Sequence, residues 1–268
     1  VLIVNMNPGG PAGGSGVQYF VGDFDGKRFV AEGDARTPKW GDFGADFYAG
    51  VSWSDVPAAD GRRVWLGWMS NWAYAQVVPT SPWRSAMSVP RTLALRPSVD
   101  GMRLVQRPVR ELESLRTGRK REFLGGTFAQ AAAWLAEQRD LPLYLDVEMT
   151  FSSVSARTPF TVQLATGPNE TTTIAIDPGR QRLTFDRTSS GQVAFHKDFP
   201  GVHMAPLRVN NGEVQLRLLI DAASLELFAQ DGETVMTEVI FPSAQSRAIA
   251  IAAAGAAPSV RQIRIHAL

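Results

Sequence analysis

The 268 residues contain no cysteine. That excludes disulfides, thiolate metal sites and cysteine nucleophiles, while leaving the cellular compartment open. Histidine is almost as scarce. His196, His203 and His266 are scattered, show no i, i+4 spacing, and stand beside no serine-bearing elbow, so neither a metal cluster nor a nucleophilic triad is expected. No apolar run reaches the roughly 18 residues of a membrane span. The opening residues also lack the charged and apolar regions of a secretory leader. An excess of one charge is missing too, with 27 basic against 26 acidic residues, and the only dense basic stretch is the short GRKRE around Arg119 to Arg121. Nucleic acid and anionic membrane are therefore poor candidate partners.

What is present is strand chemistry. The chain opens VLIVNMNPGGPAGGSGVQYFVGDFDG, and the Gly- and Pro-rich stretch Asn7 to Gly16 has no phosphate-binding character. Pro8 and Pro11 remove two N–H donors, no Lys-Ser/Thr pair closes the stretch, and β-branched and aromatic residues follow where a helix would have to begin. The stretch reads as a long hairpin loop between strands over 1–6 and 17–24. Up to Val109 the chain holds six of its seven tryptophans, with strand-like runs over 47–53, 63–69, 87–95 and 102–106 separated by turns such as ADGR and VDG. Beyond it, apolar residues alternate with a period of two in Leu143 to Phe151, Phe160 to Leu164, Val214 to Ile220 and Val260 to Ile265, which predicts two stacked sheets. The alanine-rich FAQAAAWLAEQRD (128–140) breaks this pattern and admits a short helix. The expected class is all-β, divided into a first unit over 1–112, a linker over 113–125 with a brief helical turn, and a β-sandwich over 126–268. His203 is expected to pack in a loop beside Met204 and Pro206.

The densest chemistry lies between Asp42 and Arg91, in DFGADFYAGVSWSD, GRRVWLGWMSNWAYA and VPTSPWRSAMSVPR. Aromatic rings interleaved with Asp, Asn and Arg suit a sugar, because rings stack on C–H faces while carboxylates and amides take the hydroxyls. The same rings would serve equally as a tryptophan-rich core.

DFGADFYA, GWMSNW, PTSPWRSAMSVPRTL, DRTSSG (186–191) and DAASLELFAQDGETVMTEVIFP (221–242) together resemble glycoside hydrolase family 32, the levanases, inulinases and invertases. The resemblance implies a five-bladed β-propeller followed by a C-terminal β-sandwich, with this chain holding the last blades and the whole sandwich. It also implies retaining hydrolysis of β-fructofuranosides such as levan, inulin or sucrose, with no cofactor and no metal. An aspartate attacks the anomeric carbon, a glutamate serves as acid and then base, and a second aspartate holds sugar hydroxyls. The family carries these three in NDPNG-, RDP- and EC-type motifs, and none of the three motifs occurs in this sequence. No catalytic residue is therefore assigned, and the chain is expected to be a C-terminal portion, inactive alone, of a secreted or periplasmic enzyme.

By the same resemblance, Asp42, Asp46, Tyr48, Trp68 and Trp72 are the substrate-binding candidates, with Trp68 and Trp72 alternatives for one indole of the fructose pocket. Arg84 and Arg91 are expected to pair with blade carboxylates. Glu226 and Asp231 are expected to shape a hairpin turn, the sandwich motifs serving either ancillary sugar binding or structural support. An incomplete propeller would leave open strand edges, so self-association is expected. The reading that competes with an enzyme is a non-catalytic carbohydrate-binding or structural module built on the sandwich alone.

Overall fold

The computed structural model describes every residue except residue 35. β-branched and aromatic segments separated by Gly, Pro and Asp turns give an all-β chain with one ten-residue α-helix among the described residues. In the first half, β1 (Leu2–Met6), β2 (Gly16–Phe20) and β5 (Lys39–Trp40) form one antiparallel sheet in the order β1-β2-β5. A small separate hairpin pairs β3 (Gly22–Phe24) with β4 (Phe29–Ala31). A second sheet contains β6 (Tyr48–Ser52), β7 (Arg63–Met69), β8 (Ala86–Met87), β9 (Arg91–Ser98) and β10 (Gly101–Pro108), in the order β10-β9-β7-β6 with β8 also on β7.

The stretch read as a hairpin loop does join β1 to β2, except that its last residue, Gly16, already belongs to β2 and pairs with Met6. Along β7, Trp65, Gly67 and Met69 point inward while Leu66 and Trp68 point the other way, as a period of two requires. Trp65 packs on Phe47 with ring centroids 5.0 Å apart and shares a small core with Val17. Its indole N–H donates to Gln106 Oε1 at 3.1 Å, so its one polar atom is satisfied in the interior. Gly67 faces that core, where a Cβ would come within 2.7 Å of the Phe47 ring.

A 3-10 turn over Arg110–Leu115 leads into the second half. The segment expected to continue as linker is instead a strand, β11 (Thr117–Thr127), which pairs with the last strand of the chain. It carries the GRKRE charges because it is the exposed edge of its sheet, where charged side chains discourage further pairing. The strands that follow are β12 (Leu145–Ser152), β13 (Phe160–Thr166), β14 (Thr171–Asp177), β15 (Arg182–Ser189), β16 (Val202–Pro206), β17 (Val214–Asp221), β18 (Ser224–Ala229), β19 (Thr234–Val239), β20 (Ala248–Ala252) and β21 (Ser259–Ala267). They make a six-stranded sheet, β11-β21-β12-β17-β18-β19, and a five-stranded one, β16-β15-β14-β13-β20.

Val147, Met149, Phe151, Leu216 and Leu218 of the six-stranded sheet share one core with Val162, Leu164, Ile174, Ile176 and Phe185 of the five-stranded sheet. The alanine-rich segment is the helix α1 (Phe128–Glu137). Its N-terminus is closed by a capping box in which Thr127 Oγ1 accepts from Gln130 N–H and Gln130 Oε1 accepts from Thr127 N–H. Phe128, Ala131 and Leu135 turn its apolar side onto the same core. No helix among the described residues is long and apolar enough to cross a membrane.

Phe151 is fully buried and packs against Phe160 at 4.4 Å and Phe128 at 6.3 Å. Phe151→Ala is expected to cost about 3–5 kcal/mol, the range for emptying an aromatic site in a packed core. Urea denaturation followed by circular dichroism checks this, and a loss below about 1 kcal/mol would mean that the two sheets do not close on this residue.

Candidate functional site

The segment Asp42 to Asp46 runs along β19, the open edge of the six-stranded sheet. Phe43 N–H donates to Val235 O at 2.9 Å and Asp46 N–H to Thr237 O at 3.0 Å. In return, Thr237 N–H donates to Asp42 Oδ1 at 2.8 Å and Val239 N–H to Asp46 Oδ2 at 2.9 Å. Gly44 lies so close to this strand that a Cβ would meet Thr237 O at 2.2 Å, which is why glycine stands at the centre of DFGAD.

Two buried arginines close the junction. Arg91, at the start of β9, gives Nη1 to Asp42 Oδ2 (2.9 Å) and Nη2 to Glu226 Oε2 (2.5 Å) and Thr237 Oγ1 (2.6 Å). Its guanidinium lies 4.5 Å from the Phe47 ring centroid and 5.1 Å from that of Phe228, a cation–π placement on both sides. Arg187, on β15, gives Nη1 to Asp46 Oδ2 (2.6 Å), Nη2 to the Tyr74 hydroxyl (2.8 Å) and Nε to Phe199 O (2.8 Å). The Tyr74 hydroxyl in turn donates to Asp46 Oδ1 at 2.6 Å. Glu238 stands beside them, with Oε2 in an ion pair 2.9 Å from Arg187 Nη1 and Oε1 accepting from His203 Nδ1 (2.6 Å) and Ala45 N–H (3.2 Å).

Burial sets the electrostatics of this cluster. It raises the Asp46 carboxyl, a shift that Arg187 opposes and Glu238 reinforces, and it raises Glu226 as well. Glu238 feels the same desolvation, but His203 and Arg187 together outweigh it and hold its carboxyl below the usual value. The Tyr74 hydroxyl is pushed well above its ordinary range by burial and then by the Asp46 charge, so it stays a donor. For both arginines burial favours loss of charge, yet the neighbouring carboxylates win and keep them cationic.

Several expectations change accordingly. Asp42 and Asp46 are at most 1 % exposed and their oxygens are taken by backbone N–H, arginine and hydroxyl groups, so they hold the junction. Glu226 is a buried partner of Arg91 and not a turn former. Asp231 does occupy the β18–β19 turn, in the left-handed region at φ 58°, and also pairs with Arg96 and Arg107. Arg91 meets a carboxylate of its own half, as expected, and one from the other half that was not foreseen; Arg84, expected to pair with a carboxylate, donates instead to Gln76 Oε1 at 3.4 Å and has no ion pair among the described residues. His203 belongs to β16 and bonds to Glu238, where a loop position had been expected.

The three aromatic candidates do come together. Tyr48 on β6 lies opposite Trp68 on β7, with ring centroids 6.3 Å apart, and Trp68 lies 4.9 Å from Trp72. Trp72 is 50 % exposed, so the cluster ends in a ring open to solvent. Asn71, which the sequence did not single out, fixes that ring's backbone. Its Nδ2 donates to Ala45 O (2.8 Å) and Gly13 O (3.1 Å), and its Oδ1 accepts from Ser15 N–H (3.3 Å) and Ala73 N–H (3.0 Å). Ser15 Oγ accepts from Trp72 N–H at 3.1 Å. The Gly-rich loop, DFGAD and the Trp72 turn are thus one hydrogen-bonded unit. Gly14, at φ +63°, leaves no room for a Cβ, which would lie 2.1 Å from Asn71 Oδ1. Chemically, this surface offers aromatic faces for stacking, whereas Asp42, Asp46, Glu226 and Glu238 are all committed to the interior.

Comparison with known proteins accounts for both halves. The model of the glycosyl hydrolases family 32 N-terminal domain matches residues 1–108, and that of the glycosyl hydrolases family 32 C terminal matches residues 111–267. A levanase of Bacillus subtilis is 43 % identical over 270 residues, covering 100 % of this chain and 40 % of the relative. The crystal structure of exo-inulinase from Aspergillus awamori superposes with a TM-score of 0.82 at 33 % identity, over 98 % of this chain and 52 % of that one. A β-fructofuranosidase from Schwanniomyces occidentalis, solved with fructosyl-erythritol, gives 0.80 at 26 % identity, over 99 % of this chain and 55 % of that one. The chain therefore spans about half the length of these relatives, or somewhat less.

Arg187→Met would leave Asp46 and Glu238 buried without their shared cation, and a loss of about 3–5 kcal/mol is expected on chemical denaturation; a loss under 1 kcal/mol would mean that the pair is dispensable. The Glu238 carboxyl also carries a pH signature. Because its folded value lies below the ordinary 4.5, its contribution is fully present above that value and is lost as pH falls through the folded one. The stability difference between wild type and Glu238→Gln should thus narrow on acidification, measured by urea titration across about pH 3–7; a difference that widens would reverse the assignment.

Proposed function

The chain belongs to glycosyl hydrolase family 32, and on that premise we propose that it forms part of a retaining β-fructofuranosidase acting on levan, inulin or sucrose. In this reading the sheets of the first half are the closing portion of a five-bladed propeller, over about residues 1–112, and the two facing sheets of the second half are a β-sandwich. The whole-chain likeness to exo-inulinase, at a TM-score of 0.82, supports it.

The observation that carries the reading is the Tyr48–Trp68–Trp72 cluster, which ends in a half-exposed indole whose backbone N–H donates to Ser15 and whose neighbour Asn71 is tied to Ala45 and Gly13. A furanose ring stacks on such a face through its C–H groups. Tyr48, Trp68 and Trp72 are assigned to sugar contact, and Asp42 and Asp46 to holding the surface in place. Attack at the anomeric carbon and protonation of the leaving oxygen both need carboxyl groups free to reach the sugar. The NDPNG-, RDP- and EC-type motifs that would supply them are not in these 268 residues, and the acids named above are buried in ion pairs. The chain alone is therefore assigned binding without turnover. Self-association belongs to the same reading, supported by the exposed apolar side chains Leu2 and Val51 on the edge strands β1 and β6.

The test incubates the chain with inulin, levan and sucrose and follows both released fructose and tryptophan fluorescence. Expected are no release by the chain alone, and a fluorescence response to fructose that Trp72→Ala weakens about tenfold, the size of one lost aromatic contact. Release is expected once the separately produced N-terminal half of a family 32 levanase is added. Robust turnover by the chain alone would overturn the assignment of the missing acids. Polymer binding with no turnover even after that addition would favour a carbohydrate-binding module.

A further inference from the structure

The two sheets of the second half end in four outer strands, and three of these are charged, covered or closed by proline. β11 carries Arg119, Lys120 and Arg121, β19 is met by residues 42–46, and β16 ends in Pro206, whose carbonyl accepts from Thr234 Oγ1 of β19 at 2.6 Å. β20 has none of these devices. Its sequence is AIAIA, with Ala248 and Ala252 exposed and Ala250 half-buried. Among the described residues, the backbone groups of residues 248–252 bond to β13 alone. A groove of about 710 Å³ runs between this strand and the end of α1. One wall is the strand itself, through Ala248, Ile249 and Ala250, and the facing wall holds Leu135 and Ala136 of α1. Arg139 and Arg247 line the groove as well. Arg121 stands beside them, with Nη1 donating to Arg139 O at 3.0 Å, and Arg247 gives Nε to Ala244 O at 2.6 Å. Among the described residues none of the three arginines has an ion pair, and the Arg139 side chain makes no hydrogen bond. Asp140 is the one carboxylate in the lining, so positive charge is in excess, and no aromatic ring lines the groove.

We propose that β20 is a docking edge for an extended acidic peptide segment of a partner protein, which adds a strand beside β20 and sets its carboxylates on Arg139 and Arg247. The backbone carries the first part of the argument. Every second residue of a strand turns its N–H and C=O to the same side, so an unpaired edge presents a row of donors and acceptors that another extended backbone satisfies in register. Alanines at positions 248, 250 and 252 leave that row open to approach. A sugar has no matching row of groups, and without a ring in the lining it has nothing to stack on. Charge carries the second part. A guanidinium has five N–H donors in a fixed fork, and those not spent on the carbonyls near the end of α1 suit a carboxylate. The side chains of an added strand alternate, so acidic residues at every second position reach the arginines while the residues between them face the apolar wall of Leu135 and Ala136.

The experiment is fluorescence anisotropy of a labelled hexapeptide that alternates glutamate with valine, titrated with the whole chain, beside amide hydrogen exchange of the chain with and without the peptide. Binding is expected that weakens as salt is raised, with slower exchange at residues 248–252. Arg139 is the probe of charge, since the fold does not use its side chain. Arg139→Glu should weaken binding about tenfold, the lost pair and the new repulsion together, with circular dichroism unchanged, and Arg139→Lys should keep most of the affinity. Equal binding of a hexapeptide that alternates lysine with valine overturns the proposal, as does binding without protection at residues 248–252, or no binding at all. Displacement of the peptide by levan or inulin would make the groove a sugar site. A dimer by light scattering, in which the peptide adds no protection at residues 248–252, would mean that a second copy holds the edge. Both of these outcomes overturn the proposal too.

Discussion

Two guanidinium groups without contact to water hold this molecule in one shape. Arg91 comes from the first half and finds a carboxylate in each half; Arg187 comes from the second half and does the same with Asp46 and Glu238. Burying such charges is expensive, and an apolar replacement of equal volume would often be as stable. A flat fork with fixed donor directions can, however, do what a leucine cannot. It satisfies a small set of acceptors at fixed angles, and so selects one relative placement of the two halves from the many that apolar packing would tolerate. The aromatic rings above and below each guanidinium narrow the choice further.

The aromatic surface inherits its order from this junction. Arg187 holds Tyr74, which bonds to Asp46; Asn71, three residues before Tyr74, ties the Trp72 turn to Ala45 and to the Gly-rich loop. A chain of short contacts thus runs from the interior of the second half to a ring in solvent on the first. A surface of this kind is preorganised, because the backbone that carries the ring is already fixed by these contacts. The second half of the chain thereby helps to order that surface.

How much of this could be read from the amino acids alone follows from the range of each interaction. The strands were legible because a period of two is local, and the loop over residues 7–16 because proline and glycine act on their own backbone. Tyr48, Trp68 and Trp72 were legible as candidates, since residue type and family resemblance pointed to them, but that all three meet was not, because Trp68 and Trp72 read as alternatives. The roles of Asp42 and Asp46 were not, because their partners lie up to 195 positions away in the sequence. A signal did exist. In SLELFA and TVMTEV, the strands β18 and β19, every residue but Ser224 is buried, and a strand buried on both faces that still carries Glu226 or Glu238 must find a cation. One of those cations, Arg187, stood in the DRTSSG motif. β11 was missed for the opposite reason: it is an edge strand whose charges and glycines hide its alternation.

The way the halves meet also bears on whether the second could have served as a free-standing module. β19 is an edge, and an edge presents unpaired N–H and C=O groups that must be covered, charged or paired. Here both kinds of group are answered by residues 42–46. Backbone N–H groups reach two of its carbonyls, and the Asp42 and Asp46 carboxylates take the N–H groups of Thr237 and Val239. Removing the first half would expose that edge and take Arg91 from Glu226 and Asp46 from Arg187, leaving a carboxylate and a cation without the partners placed for them. A domain adapted to stand alone would carry Lys or Pro along such an edge, as β11 at the far side of the same sheet carries its arginines and lysine. The asymmetry between the two edges, one charged for water and one built for a partner, is the physical reason to treat the two halves as a single working unit.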